Sequence, residues 1–185
     1  IRNSSALERA GKVDTVIMDK TGTLTFGQPQ VTDVIPFNKE VDREKELIRL
    51  AASVEKFSEH PLADAITAEA ITQDIKLLEV NDFSAISGKG VQAFMDGKQI
   101  LVGNEELMLN NDLDFSTHLP ALNRLQDEAK TTVIVAYDNQ VIGFLGIADS
   151  IKKTSKQAVQ ELKDMDLKVL MITGDNQRTA NAVAK

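Results

Sequence analysis

Two short segments of the sequence place an aspartate and hydroxyl side chains directly after an apolar run. Asp19 ends the run VDTVIMD and is followed by Lys-Thr-Gly-Thr, while Gly174 and Asp175 follow the run LKVLMIT. An aspartate at such a position can attack phosphorus as a nucleophile or hold Mg²⁺ through oxygen. Threonine and glycine can offer hydroxyls and backbone N–H groups to phosphate oxygens. Either segment taken alone is also compatible with an ordinary turn held by local backbone bonds.

The two apolar runs predict the strands that position these residues. Neither run alternates strictly between apolar and polar residues, which is typical of a strand covered on both faces in a parallel sheet. Ligands of open parallel sheets bind beyond the carboxyl ends of the strands, where Asp19 and Asp175 would lie. Two strands cannot form a sheet with its own core, so this domain is expected to be incomplete.

The long segment between the two runs has a different, antiparallel character. Residues 42–57 predict a helix with an apolar core face, and a second helix is expected to begin at His60-Pro61. Hairpins are predicted to turn at Asp96-Gly97 and Asp138-Asn139. Ser116 can cap a further helix. The predicted core face of the first helix consists of Leu47, Leu50, Ala51, Val54 and Phe57.

This order of elements predicts an α/β domain with a partial parallel sheet, interrupted by an inserted α+β domain with an antiparallel sheet. The expected boundaries give residues 1–29 and 148–185 to the first domain and residues 30–147 to the insert.

Composition excludes several other functions. The formal net charge is −7 and no basic stripe is present, which argues against binding nucleic acid. Because the 185 residues contain no cysteine, they hold neither a disulfide framework nor a thiolate metal site. No apolar run approaches the roughly 20 residues of a membrane helix. These residues are expected to be soluble.

The seven residues DKTGTLT, 19–25, resemble the phosphorylation motif of P-type ATPases, within the haloacid-dehalogenase-like superfamily. The resemblance implies that Asp19 accepts the γ-phosphoryl group of ATP and that Asp19 and the Thr21 carbonyl coordinate Mg²⁺. It also implies that Thr23 contacts the phosphoryl oxygens and that Lys20 contributes to the same loop. The first domain would then be a doubly wound, haloacid-dehalogenase-like phosphorylation domain.

The segment MITGDN, 171–176, resembles the second phosphate-binding motif of the same family. By this resemblance, Thr173 and the Gly174 N–H bind the phosphoryl group, and Asp175 lies near the phosphates or ribose of the nucleotide.

One position distinguishes a pump from a phosphatase of the superfamily. Such phosphatases carry a second aspartate two residues after the nucleophile, as general acid and base for the water step, and here that residue is Thr21. Loss of a general base typically slows a proton-transfer step by about 10²–10⁴-fold. The acyl phosphate is therefore expected to persist, as a pump requires.

Three segments of the insert, SEHPLA, SGKGV and VGN, resemble motifs of the heavy-metal-transporting branch of P-type ATPases. The resemblance implies that the insert is the nucleotide-binding domain, with His60 against the adenine and Glu55 in contact with the base. It also implies that Gly88, Gly90 and Gly103 let the backbone approach the nucleotide closely.

The function implied is the ATP-binding and phosphorylation unit of a heavy-metal-exporting P-type ATPase that uses ATP and Mg²⁺. Copper(I) is favoured as the exported ion, and zinc or cadmium is the alternative. The partners would be the transmembrane and actuator domains of the same membrane protein, with the exported ion bound outside these residues and these residues on the cytoplasmic side. A phosphatase with a cap domain and a non-catalytic nucleotide sensor are the rival functions.

Two further expectations concern the phosphorylation activity of this chain and the role of two neighbouring lysines. The Gly-Asp-Gly-x-Asn-Asp motif that supplies further Mg²⁺ ligands in the family does not occur here, so we predict that this chain binds ATP or ADP but phosphorylates itself poorly or not at all. In the segment ADSIKKTS, Lys152 and Lys153 are candidates for covering the acidic site, and solvated lysines are an equal alternative.

Overall fold

The computed structural model describes residue 8, residues 11–38 and residues 42–184. The strands are β1 (Thr15–Asp19), β2 (Gln30–Pro36), β3 (Asn81–Ile86), β4 (Gly90–Met95), β5 (Lys98–Gly103), β6 (Thr131–Tyr137), β7 (Gln140–Ala148) and β8 (Lys168–Ile172). The helices are α1 (Arg43–Glu55), α2 (Pro61–Thr72), α3 (Glu105–Asn110), α4 (Leu119–Asp127), α5 (Lys153–Asp164) and α6 (Gln177–Val183).

The chain forms two units, and the first contains the described residues up to Gln28 together with Asp149–Asp175. Its strands β1 and β8 pair in parallel, with Asp19 opposite Ile172 at their carboxyl ends, so the predicted parallel pairing is confirmed. The prediction that both faces are covered is wrong for the described residues. Helix α5 packs on β8, but three apolar side chains of the two strands are 40–60% exposed, namely Ile17, Leu170 and Ile172.

The second unit contains Pro29–Ala148 and Asn176–Val183 and is built on a six-stranded antiparallel sheet. The strand order is β2-β7-β6-β5-β4-β3. Helices α1 and α2 bury one apolar face of the sheet, while α3 and α4 bury the other. Alternate residues of one strand therefore enter different cores, as Leu101 and Val102 of β5 do. The predicted mixture of a parallel and an antiparallel sheet is confirmed.

Both predicted two-residue hairpin turns are present. Met95 pairs with Lys98 across Asp96-Gly97, and Tyr137 pairs with Gln140 across Asp138-Asn139. All four turn residues have φ between 50° and 77°. Two successive residues with positive φ give the turn a twist that matches the right-handed twist of the strands, which explains why Asp, Asn and Gly occupy these positions.

The ends of two helices differ from the prediction. Four of the five expected core residues of α1 are buried, but Phe57 is 50% exposed because the helix ends at Glu55. Phe57 contacts Phe83 with its ring centroid 5.6 Å away. Ser116 does not cap α4, because a short 3₁₀ turn over Ser116–His118 precedes that helix and His118 occupies the cap position.

Helix α6 packs within the second unit, against α4. Arg178 donates two hydrogen bonds to the carboxylate of Asp127, at 2.5 and 2.8 Å, and the Thr179 hydroxyl donates to the Lys130 carbonyl at 3.3 Å. The sequence analysis assigned all of residues 148–185 to the first domain, whereas these contacts group Asn176–Val183 with the second unit.

Helices long and apolar enough to cross a bilayer are absent from the described residues.

Candidate functional site

The parallel pairing of β1 and β8 brings the two aspartate-containing loops to the same edge of the first unit. Residues Lys20–Leu24 form one wide helical turn after β1, closed by the Thr25 N–H, which donates to the Lys20 carbonyl at 3.1 Å. The side chain of Asp19 is exposed and accepts a hydrogen bond from the Thr21 N–H at 3.3 Å. Gly22 allows the turn to reverse, since its φ of +75° is strained for a residue with a side chain.

A buried ion pair joins the two loops. The Lys20 ammonium contacts the Asp175 carboxylate, and these side chains are only 10% and 7% exposed. The Thr173 hydroxyl donates to the same carboxylate at 2.8 Å and accepts from the Asp175 N–H at 3.1 Å. Because breaking a buried pair leaves an uncompensated charge, this contact fixes the two loops to each other.

Three other predicted residues of this unit, Thr21, Thr23 and Gly174, are open to solvent. Thr21 and Thr23 are exposed, and a Cβ added to Gly174 would meet no atom within 4 Å. Exposed hydroxyls and backbone beside a carboxylate leave room for a phosphate group. Their roles in binding phosphate stay a prediction.

Asp149 supports the loop that follows Asp19, and the sequence analysis did not identify it. Its carboxylate accepts from the Thr25 hydroxyl at 2.5 Å, from the Gly27 N–H at 3.1 Å and from the Gln28 N–H at 3.2 Å. A carboxylate with three donors holds the end of the loop in one conformation. Its position after β7 gave no local signal, because its partners lie more than 120 residues away in sequence.

The donor set at the end of β1 fits Mg²⁺ by its chemistry. Mg²⁺ prefers oxygen ligands and is usually bound by one or two carboxylates together with substrate phosphates. Asp19 supplies such a carboxylate at an exposed position, and the Thr21 carbonyl is the second candidate. Within the ranges that the structure describes, no three His, Cys, Asp or Glu side chains form a metal cluster. An ion here would therefore depend on phosphate oxygens as well.

In the second unit, Glu55 is the last residue of α1 and is only 7% exposed. Burial raises the pKa of Glu55 to about 7, and a hydrogen bond from Ser58 opposes this shift. A buried carboxyl that is half ionised near neutral pH is unusual outside functional sites, which makes it a candidate for contact with a ligand.

His60 occupies the N-cap of α2, directly before Pro61. Its Nδ1 accepts a hydrogen bond from the Leu62 N–H at 3.2 Å, and its backbone N–H donates to the Ser58 hydroxyl at 3.3 Å. Because Nδ1 is an acceptor, the neutral ring carries its proton on Nε2, and the residue is exposed. The capping bond fixes the imidazole while leaving its other nitrogen available.

The three predicted glycines differ in the reason for having no side chain. Gly90 and Gly103 pair across β4 and β5, and a Cβ on either would lie 2.2 Å from a backbone carbonyl oxygen. Their close mutual packing is sufficient to require glycine at both positions. Gly88, in contrast, has a φ of +71° and open space where a Cβ would be. Nucleotide contact therefore stays a prediction for all three.

Asn104 supports this glycine loop and was not assigned a role by the sequence analysis. Its side-chain amide donates to the Gly88 carbonyl at 2.9 Å, while its side-chain oxygen accepts from the Leu107 N–H at 3.0 Å and caps α3. Asparagine directly before Glu-Glu is a typical N-cap signal, so the cap could have been found from the sequence, whereas the contact to Gly88 could not.

Comparison with known proteins connects these features to one family. A family model described as haloacid dehalogenase-like hydrolase matches residues 13–185. The chain is 50% identical over its whole length to a probable copper-exporting P-type ATPase of Archaeoglobus fulgidus, but it spans only 22% of that relative.

Two solved structures are also similar over the whole chain. The catalytic domain of the CPx-ATPase CopB-B is 32% identical with a TM-score of 0.70, and the chain covers 62% of it. A zinc-transporting PIB-type ATPase in the E2.Pi state is 33% identical with a TM-score of 0.67, and the chain covers 29% of it.

Proposed function

Because the chain belongs to the haloacid dehalogenase-like hydrolase family, we propose that it forms the nucleotide-binding and phosphorylation unit of a heavy-metal-exporting P-type ATPase. The observation that carries the proposal is the meeting of the two loops at one sheet edge, where the Lys20–Asp175 pair joins them beside the exposed Asp19. The similarity to a copper-exporting and a zinc-transporting P-type ATPase supports it.

In this function the phosphoryl acceptor is Asp19. A carboxylate oxygen of Asp19 attacks the γ-phosphorus of ATP, the bond from that phosphorus to the bridging oxygen breaks, and ADP leaves with the electron pair. The Asp19 carboxylate and the Thr21 carbonyl would hold Mg²⁺, which would supply positive charge against the transferred group. Thr23, Thr173 and the Gly174 N–H are the donors proposed for the phosphoryl oxygens. The chemistry is chiefly positioning and electrostatic stabilisation.

The second unit is proposed to bind the adenosine part of ATP. Its candidate contacts are Glu55 for the base, His60 against the adenine ring, and the loop of Gly88, Gly90 and Gly103 for close backbone approach. The buried carboxyl of Glu55 and the exposed imidazole of His60, fixed by its capping bond, support these roles.

Copper(I) is the proposed ion, since the relative of Archaeoglobus fulgidus is described as copper-exporting. Zinc is the second candidate because a solved zinc-transporting pump is similar over the whole chain. As the chain spans about a fifth of the copper-exporting relative, the exported ion is proposed to bind in membrane-spanning parts outside these residues. This unit then lies on the cytoplasmic side and works with transmembrane and actuator domains.

The test is phosphorylation of the full-length protein from ATP labelled at the γ-phosphate, with Asp19→Asn as the variant. We expect acid-stable, hydroxylamine-sensitive label on the unchanged protein and none on D19N, because an amide cannot form the acyl phosphate. Nucleotide binding should survive in D19N, measured by displacement of a fluorescent ATP analogue.

The rival functions give different results in the same experiment. A nucleotide sensor would bind ATP without forming a D19N-sensitive phosphoenzyme. A phosphatase would release phosphate from small phosphate esters without needing a transported ion. In contrast, copper(I)-stimulated ATP hydrolysis that is lost in D19N would support the pump, and stimulation by zinc instead would identify the second ion.

A further inference from the structure

The segment from Asp149 to Ser155 contacts the loop that follows Asp19, from Gly22 to Gln28, along its length. Thr25 forms a bridge with Ile151, and the Phe26 N–H donates to the Ser150 carbonyl at 3.0 Å. These contacts lie within the first unit and bring the start of α5 beside the turn that follows Asp19.

Lys152 is the residue of this segment whose side chain reaches into the turn. Its ammonium donates to the Gly22 carbonyl at 2.7 Å and to the Thr23 carbonyl at 3.2 Å. Its backbone is fixed as well, because the Lys152 N–H donates to the Leu24 carbonyl at 3.0 Å and the Ser155 hydroxyl donates to the same carbonyl at 2.8 Å. The lysine is therefore anchored at both ends of its side chain.

This contact determines how two peptide groups of the loop are oriented. A trans peptide is planar, so its C=O and N–H point in opposite directions. When the carbonyls of Gly22 and Thr23 are directed to Lys152, the N–H groups of Thr23 and Leu24 are directed away from it. Backbone N–H groups turned to a common side are a means of binding phosphate. Gly22 permits this arrangement through its positive φ.

The neighbouring lysine provides a contrast. Lys153 is the first residue of α5 and is exposed, whereas Lys152 is partly buried at the N-cap. The sequence analysis did not distinguish between these two lysines. The structure separates them, because the ammonium of Lys152 has two carbonyl partners in the turn after Asp19.

We propose that Lys152 is a positioning residue for phosphoryl transfer to Asp19, acting by holding the Gly22 and Thr23 carbonyls so that the loop N–H groups face the incoming phosphoryl group. The inference rests on the proposed function. Lys152 itself touches neither substrate nor the reacting atoms in this role. It affects the transfer step after ATP has bound, and it leaves recognition of adenosine by the second unit unchanged.

The experiment compares Lys152→Met, Lys152→Arg and Lys153→Met in the full-length protein. The rate of phosphoenzyme formation is measured by rapid quench at saturating ATP, and the nucleotide dissociation constant is measured separately. Displacing a reacting group by about 1 Å can cost about 10²-fold in rate, so K152M should slow phosphorylation by about 10–100-fold with the dissociation constant unchanged. Arginine keeps the charge and the donors, so K152R should recover most of the rate. K153M is the matched control and should behave as the unchanged protein.

Each alternative outcome rejects the inference. If K152M phosphorylates at the unchanged rate, the carbonyl contacts do not position the loop. If K152M loses nucleotide binding together with phosphorylation, Lys152 has a general structural role, and the same holds if K153M is slowed equally. Failure of the proposed function is distinguishable, since it would appear as absence of D19N-sensitive label in the unchanged protein.

Discussion

Replacing Glu55 with glutamine is predicted to remove a pH dependence from the stability of the second unit. The carboxyl has a pKa of about 7 in the folded chain and an ordinary value of 4.5 when unfolded, because burial disfavours its charged form. Below its unfolded pKa the carboxyl is neutral in both states and costs nothing. As the pH rises towards 7, unfolding releases a proton, so the free energy of unfolding falls until the folded carboxyl is also ionised.

The magnitude follows from the two pKa values. One pKa unit corresponds to about 1.4 kcal/mol, so the free energy of unfolding should fall by about 3 kcal/mol between about pH 4 and about pH 7.5 on account of this group. Glutamine has a similar shape and no charge at any pH. The E55Q variant should therefore match the unchanged protein near about pH 4 and exceed its stability by about 3 kcal/mol near about pH 7.5.

The assay is urea unfolding at several pH values, followed by fluorescence of Tyr137. This is the only tyrosine of a sequence without tryptophan, and it lies in β6 of the second unit, so its signal reports the unit that contains Glu55. Glu59→Gln is the matched control, since Glu59 is exposed and close in sequence. A stability difference between E55Q and the unchanged protein that stays constant with pH would refute the reasoning.

The remaining predictions concern strain, close packing and the buried ion pair, and each is measured by urea unfolding. Ala129 has a φ of +61°, which costs an alanine about 1 kcal/mol, so A129G should stabilise by about 0.5 kcal/mol rather than destabilise. A Cβ on Gly90 would clash with backbone, so G90A should cost at least about 3 kcal/mol, whereas G88A, with strain but open space, should cost about 1 kcal/mol. Lys20→Met should cost about 3 kcal/mol by removing the cation beside buried Asp175, and K20M/D175N should recover most of it. An unrecovered loss would show that packing, not charge, is what Lys20 supplies.

Several elements could be predicted because their signals are local. The two hairpins follow from residues that adopt positive φ, and α2 begins where Pro61 can occupy a first turn. The errors also have local causes. Phe57 continued the apolar periodicity of α1 but lies beyond its last residue, and a 3₁₀ turn moved the start of α4 past Ser116.

The candidate site likewise contains residues that could be predicted from the sequence and supporting contacts that could not. The residue types of the loop after Asp19 indicate phosphate chemistry without any structure. Their supports could not be predicted, because the Asp149 contact to Thr25 and the Lys152 contact to Gly22 join residues 124 and 130 positions apart. Contacts at such separations depend on how the strands and helices pack, and no local propensity encodes them.

The sequence by itself determined the chemistry available to this protein: a carboxylate after one apolar strand, threonine and glycine beside it, and a second such loop after another strand. Those properties belong to residue types and short spacings. Only the tertiary structure decided that Lys20 pairs with Asp175 and that Lys152 rather than Lys153 contacts the loop after Asp19. The physical reason is that ion pairs and carbonyl contacts need atoms within a few ångströms. The parallel pairing of β1 with β8 brings Lys20 to Asp175, and the bridge between Thr25 and Ile151 brings Lys152 to the loop.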